Sequence, residues 1–200
     1  MTDFFALLNE PRRPWLDSDL LKEKFLALSA TVHPDRVHSL GETERAAAQE
    51  RYTGLNAAYN TLREPKDRVR HLLELELGAL PKDIQRIPTE LMDLSLEVGK
   101  ACREADAFLA EKAKVTSPLL QVTFFERSDE FADISKALRQ RLNATNERLL
   151  EELRQIDAAW QSGSTPQKPL LPRLEELYRL FSYFARWTGQ IQERIVRLSF

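Results

Sequence analysis

The chain has 200 residues, 42% of them hydrophobic and 30% charged, with a formal net charge of −2. That near-neutral balance excludes the bulk positive field that draws a protein to nucleic acid or an anionic membrane. Only six glycines and four tyrosines, with no alternating Val/Ile/Thr runs, argue against a sheet; Leu, Ala, Glu, Arg and Lys dominate, so an all-α fold is expected.

The single cysteine, Cys102, precludes an internal disulfide and a cysteine-based metal site. It reads either as a small buried hydrophobe or as a redox-sensing thiol, and no basic cluster evident in the sequence lowers its pKa. The first residues, Met1-Thr2-Asp3-Phe4-Phe5, carry neither a positive n-region nor an apolar h-region. No stretch has the apolar length of a membrane span, and the cytoplasm is the expected location.

In chain order, an apolar stretch (Phe4, Phe5, Leu7, Leu8) precedes Pro11-Arg12-Arg13-Pro14, which cannot continue a helix. Asp17 or Ser18 then supplies an N-cap. Leu21, Phe25, Leu28 and Val32 follow at steps of four, three and four, one face of a helix that stops at His33-Pro34. A second amphipathic helix begins near Gly41–Glu44, with Ala48, Tyr52, Leu55, Tyr59 and Leu62 inward, and Pro65 ends it. Two such helices bury their stripes by pairing as an antiparallel hairpin, with His33-Pro34-Asp35 at its tip. A short third helix, Lys66 to Leu75, covers the open end.

Two prolines and a glycine between Gly78 and Pro88 read as a linker. Thr89 caps a helix with Leu91, Leu94, Val98, Ala105 and Leu109 inward. Ser117-Pro118 reads as an N-cap followed by proline at the first helical position. Leu119 to Glu126 is either helix or loop. From Ser128 a long helix carries Phe131, Ile134, Leu138, Leu142, Leu149, Leu153, Ile156 and Trp160 inward, until Ser162–Pro166 breaks it. The last helix shows Leu174, Leu177, Phe181, Phe184, Thr188, Ile191, Ile195 and Leu198 in a seam of threes and fours. The organisation expected is residues 1–76 as one domain, 77–88 as linker and 89–200 as a three-helix bundle.

His-Pro-Asp alone is a weak string; its place between two helices of matched phase strengthens it. Downstream stands Asn56-Ala57-Ala58-Tyr59-Asn60-Thr61-Leu62-Arg63-Glu64-Pro65-Lys66-Asp67-Arg68-Val69-Arg70-His71-Leu72-Leu73. These residues resemble a J-domain, and among J-domain proteins the HscB (Hsc20/Jac1-type) co-chaperone family of iron–sulfur cluster assembly. Leu72-Leu73, Gly78, the opening Asp3-Phe4-Phe5-Ala6-Leu7-Leu8 and a C-terminal three-helix bundle all fit that family.

The resemblance implies a protein with no catalytic residue and no cofactor, which stimulates the ATPase of a DnaK-type (heat shock 70 family) chaperone. It implies that Asp35 pairs with an arginine of that chaperone, that Pro34 fixes the turn and that His33 orients it. Lys22, Lys24 and Arg36 would contribute positive charge. Arg68 either docks the partner or pins the third helix to the hairpin. Asn56 and Tyr59 read as helix-surface and core residues or as functional ones. Leu91 and Met92, with Leu96 and Glu97, would hold an iron–sulfur scaffold protein, although at helical spacing core packing is the commoner explanation of a Leu-Met pair. The last turn before the tripeptide, Ser29-Ala30-Thr31, lacks the usual basic residues, and Val98-Gly99-Lys100 stands where the family is more acidic. A different client for the bundle is the alternative.

Two other chemistries are disfavoured. His33, Asp35 and His38 resemble a metal cluster, but the intervening proline and short loop oppose it. A helical enzyme would need a signature such as His-Glu-x-x-His, a phosphate-cradling glycine loop or a nucleophile motif, and none is present.

Overall fold

The computed structural model describes residues 2–33, 41–79, 87–162 and 167–200. Among these the regular structure is helical throughout. A single helical turn, α1 (Phe4–Leu7), is capped by Asp3, whose carboxylate accepts from the Phe5 and Ala6 amides. Helix α2 (Ser18–Thr31) is capped by Asp17 in the same way, through the Asp19 and Leu20 amides. Helix α3 (Glu42–Arg63) follows; its first turn is closed by Glu44, which accepts from the Gly41 amide at 3.2 Å. Pro65 opens α4 (Pro65–Leu77) instead of merely ending α3, since a proline at the first helical position lacks only an N–H that would be unpaired anyway. Gly78 ends α4 with φ 69°, a left-handed conformation that suits glycine at a helix C-terminus.

A 3-10 turn at Thr89–Leu91 leads into α5 (Met92–Lys112). Helix α6 runs unbroken over Pro118–Ser162, so the ambiguous segment 119–126 is its beginning, and the helix starts ten residues before Ser128. A second 3-10 turn, Lys168–Leu170, precedes α7 (Leu171–Leu198).

The chain forms two compact units. The first holds residues 1–82 with 150–179; the second holds 83–149 with 180–200. Where the sequence assigns 89–200 wholly to the bundle, residues 150–179 group with the N-terminal residues. Helix length accounts for this: α5 has 21 residues and α6 has 45, so α5 can cover less than half of α6.

In the first unit α3 packs against α1, α2 and α4. Phe5, Leu8, Leu21, Leu55, Ala58, Leu62, Val69, Leu72 and Leu73 are buried. The rings of Phe25 and Tyr59 stack at 4.4 Å between centroids, locking the α2–α3 stripes in register. In the second unit the core is shared by Val98 of α5, Leu138 and Leu142 of α6, and Phe184, Trp187, Ile191 and Ile195 of α7. A second cluster joins Ala105 and Phe108 of α5 to Ala132 and Leu198, with Phe124 and Phe131 against it. Ile134 is exposed, not inward; buried Ser128, Ala132 and Ser135 set the true phase there. Ser128 Oγ accepts from Lys112 Nζ, so a small polar residue holds an inward position.

Candidate functional site

Helix α2 ends at Thr31 because Val32 leaves helical geometry just before His33 and Pro34. The His33 ring is half-buried and lies edge-on to Tyr52 of α3, 5.6 Å between centroids. An aromatic contact therefore joins the residue just beyond the end of α2 to α3. Pro34, Asp35, Arg36 and His38 lie outside the described residues.

Lys22 is exposed on α2. Lys24 is engaged within its own unit: its ammonium lies 2.8 Å from Glu10 Oε1 and donates to the Asn9 carbonyl at 3.3 Å.

Arg68 is a correction to the expected docking set. It is 3% exposed, and its guanidinium donates to the carbonyls of Pro14 at 2.8 Å and Leu62 at 2.7 Å. Leu62 stands in the last turn of α3, whose carbonyls have no partner within the helix. Arg68 thus caps α3 and ties the Pro-rich segment to α4; it is the pin of the two alternatives. Burial pushes its pKa down to about 10, so it remains a cation at neutral pH. Asn56 donates to the Tyr52 carbonyl one turn back, and Tyr59 belongs to the ring stack with Phe25.

Sequence reasoning missed two polar centres that fix the first unit. The first is Asp157 of α6, buried among Leu153, Trp160 and the N-terminal segment. It accepts from Arg13, from the Trp15 amide at 3.2 Å and from Gln161 at 2.8 Å. Alongside it, the Trp160 indole donates to the Arg12 carbonyl at 3.0 Å. A carboxylate between Leu153 and Trp160 on the inward stripe was the available signal, because a buried charge requires a partner. The second is His71, buried between the Phe4 and Phe5 rings; its Nε2 accepts from the Phe4 amide at 3.0 Å. The ring proton therefore resides on Nδ1, 3.8 Å from Glu74. Burial, outweighing the pull of Glu74 and Asp3, holds its pKa below the ordinary 6.5.

The residues at the head of α5 divide, Leu91 as its N-cap and the others within it. Leu91 is half-buried and packs against the bundle core. Met92 and Leu96, four apart and hence on one face, are 44% and 63% exposed. Glu97 pairs with Arg141 of α6, so its charge is neutralised within the chain. Cys102 packs against the same core, and burial pushes its thiol pKa up, as suits a small hydrophobe. Among the described residues no helix is long and apolar enough to cross a membrane.

A helical hairpin of this kind, followed by a bundle of three helices, defines an all-α protein of the HscB co-chaperone architecture. The structure of HscB from Vibrio cholerae superposes with a TM-score of 0.64, covering 96% of each chain at 21% identity. Human HscB gives 0.63, over 98% of this chain and 81% of that one, at 20% identity. No family model matches the chain. Curated sequences do: a co-chaperone protein HscB homolog of Paraburkholderia phymatum is 32% identical over 150 residues, 68% of this chain and 84% of that protein. Another, from Chromobacterium violaceum, is 31% identical over 106 residues, 52% of this chain and 61% of its own length. The chain belongs to the HscB co-chaperone family.

Proposed function

We propose that the protein is a non-enzymatic J-domain co-chaperone of iron–sulfur cluster assembly, which stimulates the ATPase of a DnaK-type chaperone and delivers a cluster scaffold protein to it. The observation that carries this reading is the hairpin: α2 and α3 lie side by side, with His33 braced on Tyr52 at the end where the His-Pro-Asp sequence begins. The resemblance assigns the next step to the Asp35 carboxylate, whose ion pair with an arginine of the partner is a charge-assisted hydrogen bond of the strong kind. Stimulation then requires only that the co-chaperone bind one state of the chaperone better than the other. The bond-breaking takes place in the partner's nucleotide site.

The test is single-turnover ATP hydrolysis by the DnaK-type partner with this protein added. Asp35→Ala and His33→Gln are expected to abolish stimulation while far-UV circular dichroism stays unchanged. Full stimulation by both variants overturns the assignment.

The scaffold would dock on the exposed pair Met92 and Leu96, an apolar anchor of the type that dominates binding energy. A different client is the second reading, favoured by the inward turn of Leu91 and by the pairing of Glu97 with Arg141. A pull-down separates them: scaffold capture that is lost in Met92→Ala/Leu96→Ala supports delivery, and no capture by the wild-type chain supports the alternative.

A further inference from the structure

Two tyrosines on the stripe that α3 turns toward α2 meet different partners. Tyr59 stacks on Phe25, which lies inside α2. Tyr52, two turns earlier on α3, meets His33, which lies beyond the last residue of α2. Seven residues back along α3 thus answer eight onward from Phe25. The antiparallel pairing of the two helices therefore continues past the point where the α2 ladder stops. That ladder closes with the Val32 amide donating to the Ser29 carbonyl at 3.2 Å, and Val32 turns into the core. The backbone of His33 is outside the helix.

The His33 and Tyr52 rings stand at 84° to one another, an edge-on arrangement that ring quadrupoles favour at such a separation. This contact sets the plane of the imidazole as well as its place, because turning either ring about its own side-chain bond loses the edge contact. Tyr52 itself is half-buried. The neighbouring inward positions, Leu55 and Ala58, are 2% and 0% exposed and carry the core at that level. The Tyr52 ring is thus placed to hold His33 more than to fill the interior.

We propose that Tyr52 is a positioning residue for chaperone stimulation, acting through His33, whose ring it holds in the orientation the chaperone receives. The proposal rests on the co-chaperone reading above. Without the Tyr52 ring, His33 samples its other rotamers, and only a fraction of the molecules is ready to dock. The apparent dissociation constant rises by the reciprocal of that fraction, while the complex, once formed, is the same. An aromatic pair of this kind biases orientation by a factor of about three to ten. Tyr52 therefore acts on the half-saturating concentration and leaves the saturated rate alone.

The test is single-turnover ATP hydrolysis by a purified DnaK-type chaperone, titrated with the full chain as wild type, Tyr52→Leu and Tyr52→Phe. Leucine keeps apolar bulk without a ring, and phenylalanine keeps the ring. Tyr52→Leu is expected to need about three to ten times more protein for half-maximal stimulation, and to reach the wild-type rate at saturation. Tyr52→Phe is expected to match wild type, and the urea midpoints of all three to coincide. A nuclear Overhauser contact between the ring protons of His33 and residue 52 is expected in wild type and Tyr52→Phe. Four results would each overturn the proposal and leave the co-chaperone reading standing: wild-type half-saturation by Tyr52→Leu, a lowered saturated rate or urea midpoint in that variant, an equal loss in Tyr52→Phe, or no ring contact in wild type. Absence of stimulation by the wild-type chain would overturn that reading, and this proposal with it.

Discussion

Replacing Arg68 by alanine removes one guanidinium but releases three segments of the first unit. The Pro14 and Leu62 carbonyls each lose a charged donor at 2.8 and 2.7 Å, and neither has solvent at hand, since Arg68 is buried. Hydrogen bonds to a charged group contribute roughly 1.5–3 kcal/mol each, and orphaned buried acceptors carry their own desolvation penalty. Against this stands relief from burying the cation, whose pKa is already pushed down to about 10 by that burial. The net loss expected is about 3 kcal/mol, which shifts the urea midpoint down by roughly 1–2 M for a domain of ordinary size. Lysine at the same position keeps the charge but cannot reach both carbonyls from one nitrogen, so about half the loss is expected. The assay is urea unfolding followed by circular dichroism, in parallel with chaperone ATPase stimulation at low denaturant. If Arg68→Ala unfolded with the wild-type midpoint yet lost stimulation, Arg68 would be a docking residue and the reasoning above would be refuted.

Further predictions concern the other polar centres. His71 has its folded pKa lowered, so the unfolded chain takes up a proton first as pH falls. Its stabilising contribution is complete above the ordinary value of 6.5 and is lost progressively as pH falls below it toward the folded pKa. Urea midpoints measured at neutral and mildly acidic pH should show that loss, and His71→Phe should flatten it; an unchanged acid limb would rule His71 out as its source. Asp157→Asn leaves Arg13 without its carboxylate; because Arg13 is partly solvated, a loss of about 2 kcal/mol is expected rather than the larger figure for a wholly buried pair. Chaperone stimulation should depend weakly on salt, falling less than about threefold between low and physiological ionic strength, because Lys24 is tied to Glu10 and the last turn of α2 has no basic residue. A steep loss would show that other cations make the contact.

Much of this architecture could be read from local rules. The α2 and α3 stripes, the Asp17 cap, the α7 seam and Pro118 at the head of α6 all follow from spacing and from proline and capping chemistry, which act within a few residues. The misjudged places are those where partners are distant in sequence. Leu119–Glu126 lacked a visible helical stripe because its outer face is apolar as well as its inner one, so periodicity carried no contrast. Ile134 looked inward because it is large and apolar, whereas the buried positions there are taken by Ser128, Ala132 and Ser135. Arg13 and Asp157 are 144 positions apart, and no local pattern announces such a pair. Arg68 was visible as a cation beside Val69, but whether it faced a partner or its own backbone depended on where Pro14 and Leu62 came to lie.

Helices α6 and α7 each change allegiance part-way, at Leu149/Leu150 and at Arg179/Leu180. The polypeptide therefore crosses between the two units three times, so neither unit is one uninterrupted stretch of sequence. A fragment stopped near residue 82 would contain the whole hairpin yet lack Asp157 and Trp160, leaving Arg13 and the Trp15 amide without their acceptor. To excise the hairpin unit as a self-sufficient piece, one would have to splice 150–179 back onto it.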